Sequence, residues 1–262
     1  RPVLPGVVEI AGLHIPEPKP LPKDLKDFMD GAEHGVILMS FGSNVGSSWF
    51  VEGFENTILS AFRQLPQRVL WKWDRDLPNI PPNVKLSQWL PQNDILVHPK
   101  IRLFITHCGI LSTQEAIYRR VPILALPVFC DQMDNAVSLA RQNLTIRLDP
   151  QSITTDQLLD TIQEILSNPV YKRNIERMGD LMTDMPLTSR QQAVFWSEYA
   201  IRHQGAAHLH SAAADMSWTQ LLLLDVVATG LLIFLVVLWL VKYLFLSVLR
   251  RFIFFISKFK VD

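Results

Sequence analysis

Across residues 89–132, polar side chains stand at fixed offsets behind two short apolar runs, 103–106 and 123–126. Behind the first run come His107, Gly109, Ser112 and Glu115; behind the second come Asp131 and Gln132. Glycine and small polar residues at a strand-to-helix turn let backbone approach a phosphate, and the helix N-terminus offers free N–H groups and partial positive charge. His107 can add a hydrogen bond to a phosphate oxygen. Glu115, one turn inside the helix on the face of Ser112, suits the paired hydroxyls of a ribose when ionised. Trp89 offers a flat face to a nucleobase, and the Gln92 amide can read the base edge. Asp131 and Gln132 could take hydroxyls of a second sugar. Plainer readings stand beside these. Ser112-x-x-Glu115 is also a capping box, Asp131 an N-cap, Trp89 a core residue and His98 a satisfied turn residue. Five polar roles converging on one sheet edge favour a single ligand crevice lined by His107, Gly109, Ser112, Glu115, Asp131 and Gln132.

These residues need strands to aim them. The runs 103–106 and 123–126 are short, bounded and apolar enough to be strands buried on both faces. Further strands are expected at 36–40, 68–73, 84–88 and 145–148. Helices are expected at 24–31, 50–64, near Asn93, at 112–118 and 131–142, and then in succession at 155–167, 169–182 and 189–203. Alternation of this kind implies an α/β fold with a parallel, right-handed, doubly wound sheet. Ligands then bind beyond the carboxyl ends of the strands. The turn Phe41-Gly42-Ser43-Asn44 is a Gly-containing strand-to-helix loop without the G-x-G-x-x-G spacing, so alone it is a weak phosphate signal.

Of 262 residues, those after about 218 differ in composition from the rest. Residues 221–241 hold one ionisable side chain, Asp225, among Leu, Val, Ile, Phe and Trp. A stretch of about 20 apolar residues spans a bilayer. Lys242, Arg250, Arg251, Lys258 and Lys260 follow it, placing the tail in the cytoplasm and the bulk of the chain across the membrane. Lys258 and Lys260 form a K-x-K-x-x ending that resembles an endoplasmic-reticulum retrieval signal; basic anchoring at headgroups explains them equally. Asn143-Leu144-Thr145 is a glycosylation sequon compatible with a luminal location. A luminal domain with a C-terminal anchor needs a signal, and none precedes the domain, so the chain reads as the C-terminal part of a longer precursor. The expected organisation is an interdomain linker at 1–22, a nucleotide-sugar domain at 23–203, a membrane lead-in at 204–218, a transmembrane helix at 219–242 and a basic tail at 243–262.

Cys108 and Cys130 are too few for a disulfide scaffold or metal site, and small buried thiols are the expectation. A formal net charge of +0 with no basic stripe argues against nucleic acid.

The combination Trp89-x-Pro91-Gln92, His98, Thr106-His107-Cys108-Gly109, Ser112, Glu115, Pro122, Pro127 and Asp131-Gln132 resembles the signature of the UDP-glycosyltransferase family. The resemblance extends through residues 31–43 and 69–73 to Asp225 and the tail. The anchor resembles the animal membrane-bound branch, and the wording at 111–116 is closer to insect members. It implies a Rossmann-like C-terminal half of a GT-B enzyme followed by one transmembrane helix. By position, Trp89 would stack on uracil and Gln92 bind uracil or ribose. His107, with Ser43, Gly109 and the turn up to Ser112, would contact the diphosphate. Glu115 would hold the ribose, and Asp131 and Gln132 the transferred sugar. Family members invert the anomeric centre, and their catalytic base is a His–Asp pair in the N-terminal half, so none is assigned within these residues. The implied co-substrate is a UDP-sugar, UDP-glucose ahead of UDP-glucuronic acid, with no metal or further cofactor. Partners would be a small lipophilic acceptor, membrane lipid, the N-terminal acceptor-binding half and a homo- or hetero-oligomer. The location would be the endoplasmic-reticulum membrane, single-pass type I.

Three departures from the pattern bear on the site: Cys108 for Gly or Ala, Arg120 for the Gly before Val121-Pro122, and Cys130 for Gly or Ala before Asp131-Gln132. Two rivals remain. One is a non-catalytic, UDP-sugar-binding regulatory subunit. The other is a dehydrogenase, opposed by the missing G-x-G-x-x-G.

Overall fold

A computed structural model describes residues 3, 4 and 6–258, with side chains as far as Arg251. Six strands, β1 (Val36–Ser40), β2 (Arg68–Lys72), β3 (Val84–Ser87), β4 (Ile101–Thr106), β5 (Ile123–Ala125) and β6 (Thr145–Arg147), form one sheet. All pairings are parallel, in the order β3-β2-β1-β4-β5-β6. The order reverses between β1 and β4, the switch point where a crevice opens at the carboxyl ends of a doubly wound sheet. Ser40 lies in register with Thr106 there, so the turns that follow the two strands leave side by side.

The strands are apolar on both faces because both faces are covered. Ile37, Met39, Val69, Trp71, Leu103, Ile105 and Leu124 pack with Phe54, Ile58 and Phe62 of α2 (Phe54–Phe62) and Leu158, Ile162 and Ile165 of α6 (Thr155–Ser167). Val36, Leu38, Leu70, Phe104, Ile123 and Ala125 face the opposite way. They meet Leu25 and Met29 of α1 (Lys23–Asp30), Ile95 of α3 (Gln92–Leu96), Ala116 of α4 (Ile110–Tyr118), Ala136 of α5 (Gln132–Arg141) and Ile175 of α7 (Pro169–Thr183). A capping box opens α6: Thr154 Oγ1 accepts from Gln157 N–H and Gln157 Oε1 from Thr154 N–H.

Several boundaries differ from expectation for local reasons. The helix expected at 50–64 starts at Phe54, because Ser47–Trp49 form a 3-10 turn and Gly53 adopts φ +88°. The helix expected from Ser112 starts at Ile110, with Gly109 in the N-cap position. Ser112 therefore lies inside the first turn and caps nothing, which removes the capping-box reading. The expected span 219–242 is broken at Leu223, where φ is +55°. A short helix α9 (Trp218–Leu221) precedes the break, and α10 (Leu224–Lys258) follows it, running well past Lys242. No proline interrupts α10, and apolar residues resume after the lone Lys242, so nothing stops the helix there. Among the described residues one segment, Leu224–Arg251, is long and apolar enough to cross a membrane. Asp225 sits in its first turn.

By contacts the chain forms two compact units, residues 9–197 and residues 1–8 with 198–262. Residues 9–22, expected as linker, thus belong to the unit that holds the sheet. Helix α8 (Ser189–Arg202) buries none of its residues.

Candidate functional site

The turn after β1, the end of β2, the loop before α3, the first turns of α3 and α4 and residues 14–19 surround a crevice of about 500 Å³. Ser43, Trp89, Gln92, Ser112 and Glu115 line it, as do His14 and Lys72. Trp89 is 72% exposed, which excludes the core reading. Its carbonyl accepts from Ser87 Oγ at 2.6 Å, and Lys72 Nζ stands 5.1 Å from its ring centroid. Gln92 is the hub of the opposite wall: its Nε2 donates to Glu115 Oε2 at 2.8 Å and to Ser112 Oγ at 3.2 Å. That pairing brings the first turn of α3 against α4 and leaves the Gln92 amide oxygen for a ligand.

His107 continues the site through Gly42. A Cβ on Gly42 would stand 3.0 Å from the imidazole and one on Gly109 2.6 Å, so the ring fits only because both neighbours are glycine. Only 9% exposed, it is lowered to a pKa of about 4 by burial; the field of Asp131 partly opposes this and that of Lys72 adds to it. The imidazole is therefore neutral at physiological pH. Thr106 Oγ1 lies 3.3 Å from its Nδ1. A hydroxyl donating to Nδ1 leaves the proton on Nε2, beside the free N–H groups of α4. Burial also lowers the Lys72 ammonium, which donates to Gly42 O at 2.7 Å.

Of the six residues expected to share one cavity only Ser112 and Glu115 line the crevice; His107, Gly109, Asp131 and Gln132 lie outside its lining, contrary to expectation. Asp131 and Gln132 stand where the loop after β5 enters α5, and the Asp131 carboxylate acts electrostatically on His107. Asp131 holds the N-cap position of α5 without a capping hydrogen bond from its side chain. Its Oδ2 instead accepts from Asn135 Nδ2 at 2.8 Å, and the same amide reaches Cys108 O at 3.0 Å, tying the two turns together. Gln132 is buried, its Oε1 accepting from Val128 and Phe129 N–H at 2.8 and 3.0 Å. His98 is a satisfied turn residue: Nε2 lies 3.1 Å from Asp30 Oδ1, and Nδ1 accepts from Lys100 N–H at 3.2 Å.

A family model described as "UDP-glucoronosyl and UDP-glucosyl transferase" matches residues 1–259. UDP-glucosyltransferase 2 of Dactylopius coccus is 40% identical over 93% of this chain and 47% of its own length. UDP-glucuronosyltransferase 2B7 of Homo sapiens is 40% identical over 86% of this chain and 43% of its own. The chain belongs to the UDP-glycosyltransferase family. It spans about half the length of the curated relatives it matches. The fold is shared with Os79 from O. sativa, solved in complex with UDP, at TM-score 0.60 and 19% identity, covering 69% of this chain and 44% of that one.

The three departures from the UDP-glycosyltransferase pattern are accommodated by backbone. Cys108, Arg120 and Cys130 all adopt positive φ, of 62°, 58° and 53°. Arg120 closes α4 as a glycine would: Val121 N–H reaches Ala116 O at 2.9 Å and Arg120 N–H reaches Ile117 O at 3.0 Å, a Schellman turn. Its guanidinium donates to Asp180 Oδ1 and Thr183 Oγ1. Both cysteines are free; Cys108 is buried as expected, its thiol pushed up to about 12 and inert, whereas Cys130 is exposed, contrary to the expectation of a buried thiol. Asn143 is exposed and takes the same left-handed position after α5, at φ +52°. Lys258 ends α10, and Lys260 lies outside the described residues.

Sequence reading did not anticipate His14, Lys72 or Asn135, and it named Thr106 only as part of the signature, without its contact to His107. Lys72 carries a usable signal, a single cation at the carboxyl end of an otherwise buried strand. His14 carries none, since its partners are about a hundred residues away along the chain.

Proposed function

We propose that this chain is the donor-binding half of a membrane-anchored UDP-glycosyltransferase that transfers a hexose from a UDP-sugar to a hydroxyl of a small lipophilic acceptor. The observation that carries the reading is the Gln92–Ser112–Glu115 cluster, facing an exposed Trp89 across one crevice and flanked by a neutral His107 at a helix N-terminus. Uracil would stack on Trp89, with the free Gln92 amide oxygen on its edge, and Glu115 would accept both ribose hydroxyls. His107 Nε2–H, the N–H groups from Gly109 to Ser112 and the Ser43 hydroxyl would hold the diphosphate. Asp131 and the amide nitrogen of Gln132 would hold the sugar. The acceptor oxygen attacks the anomeric carbon as its bond to the diphosphate breaks, inverting the centre. The acceptor proton passes to a base in an N-terminal half, and the negative charge on the leaving UDP is met by His107 and the end of α4. No metal or further cofactor is assigned a role.

UDP-glucose is the proposed donor, following the name of the insect relative, with UDP-glucuronic acid second. In this reading the sheet domain is luminal in the endoplasmic reticulum, Asn143 is glycosylated, and Lys258 and Lys260 retrieve the protein.

Calorimetric titration of the full chain in detergent tests the proposal. UDP should bind saturably. Glu115→Ala should weaken it about tenfold or more, the scale of losing hydrogen bonds to a charged group, and His107→Ala several-fold. UDP-glucose should bind more tightly than UDP-glucuronic acid. Absence of UDP binding by the folded chain would overturn the reading.

A further inference from the structure

We propose that His14 is a positioning residue of the donor site, holding Glu115 in the orientation that receives the ribose; the inference rests on the nucleotide reading above. Residues 12–19 are strapped along α3 and α4 by side chains of both. Gly12 N–H donates to Gln114 Oε1 at 3.1 Å and Lys19 N–H to Asp94 Oδ1 at 2.9 Å. Pro16 O accepts from Asn93 Nδ2 at 3.3 Å and Arg119 Nη2 at 3.0 Å. His14, at the middle of the strap, enters the crevice. Its Nε2 is 3.1 Å from Leu111 O and 3.7 Å from Glu115 Oε1.

A backbone carbonyl only accepts, so Nε2 carries a proton and the imidazole edge turns positive polarity toward Glu115. Gln92 already holds the other oxygen, Oε2, at 2.8 Å. The carboxylate is thus flanked from two sides, one group from α3 and one from the strap. A glutamate at a crevice rim otherwise samples several rotamers, and ordering it on binding subtracts from affinity. His14 removes that cost by ordering Glu115 beforehand. It lines the same crevice as Trp89 and Lys72.

UDP titration of the full chain in detergent tests the role. His14→Ala should weaken UDP about five- to tenfold, the scale of one lost hydrogen bond with preorganisation. His14→Gln, whose amide N–H can reach Leu111 O, should recover most of that loss. In the Glu115→Ala background the same His14→Ala change should alter affinity less than about twofold, because nothing is left to position. If His14→Ala does not fold, His14→Asn, too short to reach, replaces it. Equal losses in both backgrounds would overturn the positioning role, as would UDP affinity unchanged by His14→Ala while Glu115→Ala abolishes it. Failure of the wild-type chain to bind UDP overturns the nucleotide reading itself.

Discussion

His107 is kept neutral by its packing between two glycines, and that has a consequence for stability. Its pKa falls from 6.5 in the unfolded chain to about 4 in the folded one. Between those values the unfolded state binds more protons, so stability rises with pH across this window. The imidazole costs nothing above about pH 6.5, and the destabilisation grows as pH falls toward 4, reaching about 3 kcal/mol. Denaturant unfolding from pH 7 to 4.5 should show a falling midpoint, and His107→Gln should flatten the fall by close to one proton. An equal slope in wild type and variant would mean the ring is solvated. Trp89, Gln92, Ser112 and Glu115 were legible in the sequence because their chemistry is local: an aromatic, an amide and a carboxylate near turns. His14 and Asn135 were not, because their roles exist only once distant segments meet. The single cavity expected to include His107, Gly109, Asp131 and Gln132 failed for a related reason. Position at a strand end does not fix which way a side chain turns, and the Gln132 amide oxygen turns inward to its own loop.

At the scale of elements, the strands were legible because burial on both faces leaves continuous apolar runs, and their parallel order followed from the helices between them. Helix ends were less so. α4 begins two residues before Ser112 and is closed by Arg120 in a left-handed turn, where glycine is the usual signal. α10 departs furthest from expectation. A charge at Lys242 suggested an end, yet a single lysine can extend its ammonium to the interface while the helix continues. At 1.5 Å per residue, residues 224–241 rise about 27 Å, close to the hydrocarbon thickness of about 30 Å, and the rest of α10 extends beyond it. In sealed microsomes the proposed orientation predicts that protease trims the C-terminal tail and leaves residues 9–197 intact. Intact tail with digestion of the sheet domain would reverse it.

At the scale of the molecule, the strand order places two turns side by side at one switch point, and the chemistry gathers there. Neither turn alone makes a site: Gly42 belongs to one, His107 and Gly109 to the other, and the ring needs both. The wall that completes the crevice comes from α3 and from residues 12–19. The curated relatives that this chain matches are about twice as long. The proposed donor site lies within residues 9–197, and the proposal draws the acceptor pocket and base from an N-terminal half. The most direct test is a crystal structure of the full chain with UDP. The account predicts uracil stacked on Trp89, the ribose hydroxyls on Glu115 and the diphosphate between His107 and the N-terminus of α4. UDP bound elsewhere, with Gln92, Ser112 and Glu115 still paired only to one another and to His14, would contradict it.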